Sequence, residues 1–139
     1  MSQIFDFKDL EEFGHNCLNM AQKTMPKETR KFLNTEGYKL RRNVRKCGKR
    51  EVPKVTGKYH KGWKKGKVYR YKGEKTSLAV RVYNSEKYAH ILENGRKYKR
   101  KGKEYFKAGN HILERTTKDF KNEFADDISS FLDDVFDRF

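Results

Sequence analysis

The sequence predicts an α+β fold in which a small antiparallel β-sheet is packed by N-terminal helices and a long C-terminal amphipathic helix. Three observations point there. Apolar residues recur every three or four positions near both ends of the chain, the period of a helix with one buried face. Between those regions Leu78, Val80 and Val82 alternate with Ala79, Arg81 and Tyr83, the period of a half-buried strand. Finally, 139 residues leave room for one modest core, hence a single domain, 1–139. Only 35% of the residues are hydrophobic, but ten Phe and eight Tyr compensate, since each aromatic ring buries a large area. A disordered chain would lack both the rings and the periodicity.

The first helix is expected from about Asp6 to Lys23, with Leu10, Phe13, Cys17, Met20 and Ala21 on one face. Asp6, Asp9, Glu11 and Glu12 place negative charge in its first turns, where the helix dipole favours it. Pro26 suits a helix start, because its missing N–H would be unpaired there. A second helix is expected from Lys27 to Lys46, with Leu33, Leu40, Val44 and Cys47 as its apolar stripe and Gly37 weakening it by up to about 1 kcal/mol. These two helices make a helical part, 1–48.

From Gly48 to Gly62 the chain reads as loop, broken by Pro53, Gly57 and Gly62. Strands follow at Trp63–Tyr71 and Ser77–Asn84, around a turn at Lys72–Thr76. Tyr88–Asn94 reads as a short helix closed by Gly95 in a left-handed cap. The stretch Arg96–Lys107 is too basic for core and is expected as a loop or β-hairpin with Gly102 at its tip, completing a loop-and-sheet part, 49–107.

The last part, 108–139, is the clearest. Leu113, Thr117, Phe120, Phe124, Ile128, Phe131, Val135 and Phe139 recur three or four residues apart, with Phe120 and Phe124 central and expected in the core. Leu132 and Phe136 widen the stripe. Together with Val135 and Phe139 they form more apolar surface than a small domain covers, a candidate subunit interface.

The formal net charge is +15, unevenly spread. Residues 23–75 hold 20 Lys or Arg against 4 Glu, and residues 96–107 hold 7 against Glu104 alone. The end reverses sign, with Asp126, Asp127, Asp133, Asp134 and Asp137 against Arg138. A basic body points to polyanions, and patches of opposite sign also suit head-to-tail packing of identical subunits. Cys17 and Cys47 are far apart and read as small buried residues in a reducing cytoplasm. The N-terminus lacks the pattern of a secretory signal, and no stretch approaches a membrane span in length.

Enzymatic chemistry finds little support. The histidines at 15, 60, 90 and 111 have no metal spacing, and zinc, phosphate-loop, dinucleotide and nucleophile-elbow motifs are missing. No catalytic residue, metal or cofactor is therefore expected. His90 and Glu93 lie three apart and could form an acid–base pair, but a surface pair with a capping role is the ordinary meaning of that spacing. An RNase-type toxin would explain the charge but needs a catalytic constellation that is not found. Arg41, Arg42, Arg45, Lys46, Lys49 and Arg50, with Tyr59 and Trp63 close behind, interleave cations with aromatics as a nucleic-acid surface would. Lys97, Lys99, Arg100, Lys101 and Lys103 are a second candidate polyanion surface. A basic nucleic-acid-binding protein, such as a phage regulator, is accordingly one reading.

Three short stretches carry another. Val52-Pro53-Lys54-Val55-Thr56-Gly57, followed by Tyr59 and Trp63, resembles the P-V-D-T-G-x-L-x-x-S-W segment of the bacteriophage tail-completion, or neck type-one, family. Tyr88-Ala89-His90-Ile91-Leu92-Glu93-Asn94-Gly95 is similar to its Y-A-x-Y-V-E-x-G, and Gly109-Asn110-His111-Ile112-Leu113 to its G-x-H-M-L. Lys54, Tyr59 and Gly62 depart from the pattern. The resemblance runs from about residue 26 to the end, its positions being Pro53, Thr56, Gly57, Trp63, Tyr88, Ala89, Glu93, Gly95, Gly109 and His111. It implies a structural virion protein of the phage neck, assembled in the bacterial cytoplasm, that completes the tail or joins it to the head connector. Its implied partners are copies of itself in a ring around the DNA channel, neighbouring neck, connector or tail proteins, and phage DNA touched without sequence preference. No catalysis, membrane or small molecule is implied.

Overall fold

The computed structural model describes residues 12, 15, 24–54, 56–73 and 77–138. The helix expected over Asp6–Lys23 lies outside the described residues except at Glu12 and His15, both helical. The mixed α+β class holds: two long helices frame small antiparallel strand pairs.

Helix α1 spans Met25–Glu51, with Pro26 in its first turn. It runs five residues beyond the expected end, through Gly48. A Cβ there would stand 3.5 Å from both the Trp63 indole nitrogen and the Tyr59 ring, so the glycine faces the core and the helix continues beneath those rings. The Val52 amide closes the helix by donating to the Gly48 carbonyl at 2.8 Å. Gly37 also has a packing role. A Cβ on it would come within 2.7 Å of the Lys65 stem and 3.2 Å of Val80, so its bareness brings α1 down onto the strands. The expected loop contains one turn of helix, α2 (Lys58–Lys61).

The two expected strands form one hairpin broken in the middle. β1 (Trp63–Lys65) pairs with β4 (Val82–Asn84), and β2 (Tyr69–Arg70) pairs with β3 (Leu78–Ala79). Between the ladders three residues, 66–68, oppose two, 80–81, which is the signature of a β-bulge. The Gly66 amide still donates to the Arg81 carbonyl at 2.8 Å, so pairing survives through the bulge. The tight turn Tyr71–Gly73 follows β2, and residues 74–76 lie outside the described residues. As expected from the alternation, Leu78, Val80 and Val82 are half-buried while Arg81 and Tyr83 are exposed; Ala79, expected with the latter, is half-buried too.

After β4 come α3 (Ala89–Asn94), the hairpin of β5 (Gly95–Arg100) and β6 (Lys103–Ala108), and α4 (Ile112–Asp137). Antiparallel to α1, α4 runs nearly its full length. Arg115 pairs with Glu51, Lys39 meets Asp127 at 2.8 Å, the Phe32 ring stacks on Phe131 at 4.6 Å, and Arg138 reaches Glu28 at 3.5 Å. The densest core lies at one end of this pair, where Val44, Cys47, Val52, Trp63 and Ile112 are buried together. Phe120 is buried as expected, whereas Phe124 is half-buried, its ring 5.9 Å from Phe120 and 6.1 Å from Phe32.

The start of the α4 stripe needs correction. Ile112 and Thr116 are the buried positions, Leu113 is half-buried and Thr117 is exposed. Ile112, Thr116 and Phe120 are spaced by four, so the buried seam slews around the helix there and leaves the Leu113–Thr117 line.

Candidate functional site

The second and third motif stretches meet in one joint. Glu93, in the last turn of α3, turns its carboxylate to the start of α4, where Oε2 accepts the Leu113 amide and Oε1 the Glu114 amide, both at 3.0 Å. Those are two of the four amides a helix N-terminus leaves unpaired. The backbone adds to the joint, since the Asn110 amide donates to the Leu92 carbonyl at 2.7 Å and the His111 amide to the Glu93 carbonyl at 3.1 Å.

Gly95 and Gly109 are there because nothing larger fits. A Cβ on Gly109 would lie 2.2 Å from the Glu93 carbonyl oxygen, and one on Gly95 would lie 2.3 Å from the Lys107 carbonyl oxygen. Gly95 has positive φ, 86°, but ψ is 179°, so it turns the chain straight into β5 and does not form the left-handed cap expected of it. His111 takes the left-handed conformation, φ 50° and ψ 43°, as the N-cap of α4, its ring 3.1 Å from Glu114. Tyr88 precedes α3 and is exposed, and Ala89 is its first residue, half-buried. His90 is exposed while Glu93 caps α4, so the three-residue spacing serves a structural role.

The first motif stretch braces the joint from below. Trp63 is 3% exposed in the core with Val52 and Ile112, and Tyr59 meets its ring edge-on at 5.7 Å. Burial first, and then the nearby Glu93 carboxylate, push the Tyr59 phenol up to about 12. Gly57, at φ 83°, caps α2, and the Thr56 hydroxyl accepts the Lys58 amide at 3.4 Å. Pro53, Thr56 and Gly57 share one crevice with Tyr88 and Leu92, so the first and second stretches face each other.

The basic residues fall into two places. On α1, Arg41, Arg42, Arg45, Lys46 and Lys49 line an open cleft of about 620 Å³ with Thr35, Tyr38 and Lys39, on the side away from the core. Their roles differ. Arg41 donates to the Trp63 carbonyl at 2.8 Å and is a structural residue, while Arg42, Lys46 and Lys49 are exposed. The Nε of Arg45 is buried without a partner among the described residues. Arg50 belongs to another face, with Cys47 and Asp119, its guanidinium 3.8 Å from the Cys47 sulfur. Cys47 is buried as expected but polar in use: its thiol donates to Glu51 at 2.9 Å, and burial pushes it up.

The second place is the β5–β6 hairpin, an arm exposed on both faces from Arg96 to Ala108. Lys101 (φ 53°) and Gly102 (φ 77°) make its tight two-residue turn. The register puts Arg96 opposite Lys107, Tyr98 opposite Tyr105 and Arg100 opposite Lys103 on one face, and the tyrosine rings stack at 5.4 Å. Lys97, Lys99, Glu104 and Phe106 occupy the other face, where Lys99 and Glu104 pair at 3.8 Å. Lys101 lies in the turn itself.

No family model, curated protein or solved structure matches this chain.

Of the four residues expected at a subunit interface, the structure withdraws one. Val135 is 1% exposed, because it continues the stripe of Ile128 and Phe131 one turn further and is already covered. Leu132 is half-buried, Phe136 is 59% exposed and Phe139 lies outside the described residues.

One cluster was missed in the sequence. Glu36 is 4% exposed, with Lys39 at 3.7 Å and Asp127 beyond it. Burial first, then its hydrogen bond to Asp127, push the Glu36 carboxyl up to about 7. Hydrogen bonding to Lys39, then to Glu36, holds Asp127 below the usual carboxylate range. The spacing Leu33–Glu36–Leu40 already put this carboxyl on the apolar stripe, a signal that charge alone concealed. Among the described residues no three metal-ligating side chains gather.

Proposed function

We propose that this chain is a structural protein of the bacteriophage neck that completes the tail or joins it to the head connector, acting without catalysis. The observation that carries the reading is the convergence of three separated motif stretches on one joint. Glu93, Gly95, Gly109 and His111 fix how α4 leaves the sheet, while Trp63, Thr56 and Gly57 brace the other side. Residues at matching family positions thus serve a single architectural purpose, the rigid angle between sheet and C-terminal helix. A ring subunit needs that angle, because a small error per subunit prevents closure. Opposite-sign ends and an exposed basic cleft suit neighbours in a ring that DNA traverses.

The second reading, a basic nucleic-acid-binding regulator, is favoured by the α1 cleft, where exposed cations stand beside an exposed Tyr38. Removal of the gene from the phage discriminates. Free filled heads and unattached tails in electron micrographs are expected. Normal virions, together with one strongly enriched sequence after selection of bound DNA from a random duplex pool, would replace the neck reading with the regulator.

A further inference from the structure

Two surfaces of this chain are electrostatically unfavourable alone and complementary to each other. The first is the β5–β6 arm, where seven cations in residues 96–107 face one internal acid, and the only ion pair that the arm makes among the described residues is Lys99–Glu104. The second is the far end of α4. Asp133, Asp134 and Asp137 are exposed there, with no basic residue in the last helical turn. A helix C-terminus carries partial negative charge and favours cations, so three carboxylates in its last two turns oppose the dipole. Local conflicts of this kind in a folded chain are expected at functional or strained sites. Arg138, just past the helix, donates to the Asp134 carbonyl at 3.2 Å and reaches Glu28 at 3.5 Å, and among the described residues it pairs with none of the three carboxylates.

The arm cannot complete it within the same chain. It emerges from Gly95 and Ala108, beside the start of α4, and its six-residue strands extend about 20 Å. Asp133 lies 21 residues beyond Ile112, about 32 Å along a straight helix. Each surface also shows exposed aromatic rings amid its charges, Tyr98 and Tyr105 on the Arg100–Lys103 face of the arm, at 40% and 44%, and Phe136 on the helix, at 59%. Exposed aromatics rimmed by charge are what an interface core looks like before its partner arrives.

We propose that the β5–β6 arm of one copy docks on the acidic end of α4 of the next, with Arg100, Lys101 and Lys103 meeting Asp133, Asp134 and Asp137. The contact joins two different patches of identical chains, so it is head-to-tail and propagates to a ring or a filament. It deepens the neck reading and rests on it for purpose, but it stands or falls on self-association alone.

The test uses the full chain in sedimentation velocity at low and high salt. One variant reverses the arm (R100E, K101E and K103E) and one reverses the helix end (D133K, D134K and D137K). All six positions are exposed, so far-ultraviolet circular dichroism and the urea midpoint serve as the folding control. The wild type is expected to self-associate and to weaken with salt. Each variant alone should lose at least about tenfold in affinity, since three attractive pairs become repulsive. The two variants mixed should associate again, because the acidic arm of one meets the basic end of the other. Monomeric wild type, association indifferent to either reversal, or no recovery on mixing would each overturn the proposal. So would an arm reversal that abolishes duplex DNA binding and leaves self-association intact. Normal virions without the gene would instead remove the neck reading and leave this contact standing.

Discussion

The Glu93 carboxylate accepts the Leu113 amide at 3.0 Å across a separation of 20 residues, so a side chain of α3 caps α4. Such a cap does more than satisfy a donor: it sets the direction in which the last helix leaves the joint. Glu93→Ala should lower stability by about 2 kcal/mol, the usual worth of a helix cap whose acceptor is charged. Glu93→Gln, which keeps one acceptor oxygen, should lose about half of that. Urea midpoints for the two variants check it, and midpoints equal to wild type would show that water replaces the cap at no loss.

Glycines near the arm separate crowding from backbone conformation. Gly109→Ala places a Cβ 2.2 Å from a backbone carbonyl that cannot swing aside, so the joint must open. We expect a loss of several kcal/mol, in the upper range for single substitutions. Gly102→Ala, at the arm tip, meets nothing within 4 Å and bears only the left-handed penalty of φ 77°, about 1 kcal/mol. Thermal melts of the pair should differ by many degrees. Similar melting points would mean that the joint is looser than its geometry.

Stability should fall as pH rises from about 4.5 to 7, through one carboxyl. The folded Glu36 keeps its proton up to about 7 while the unfolded chain releases it near 4.5, so the native state binds more protons in that window. Asp127 works oppositely: held low by Lys39, it favours the fold above the ordinary 3.8, and that contribution is lost as pH falls through its lowered folded value. Glu36→Gln removes the first effect. The variant should gain on wild type between about pH 4.5 and pH 7 and hold that gain above. Parallel urea-midpoint profiles across that range would rule the assignment out.

On the α1 cleft, Arg42, Lys46 and Lys49 are free to meet phosphates while Arg41 holds the Trp63 carbonyl. Duplex DNA should bind weakly, without sequence preference, and with steep salt dependence. Changing those three residues to Gln should reduce the slope of log affinity against log salt by about 0.9 for each phosphate no longer neutralised. Anisotropy titrations at several salt concentrations measure it. An unchanged slope would assign the binding to another surface.

The α+β class, α4, the order of the elements and the basic hairpin with Gly102 at its tip were all legible in the chain. Each is written in local terms: period, breaker residues and charge density act on neighbours in sequence, and tertiary contact does not reverse them. The joint was half-legible. Its motifs stood out as strings, but nothing in a string says that Glu93 caps a helix beginning 19 residues later. What only the tertiary structure decided are the features set by long-range approach. Gly48 sits buried within a helix beneath Trp63, residues 66–68 bulge against 80–81, and Val135 is covered while Phe136 is not. Glu36 keeps its proton because it is buried away from water, and then because Asp127, 91 residues away, packs beside it. Local pattern states what each segment can bury; the partner that arrives decides which residue is buried, and with what charge.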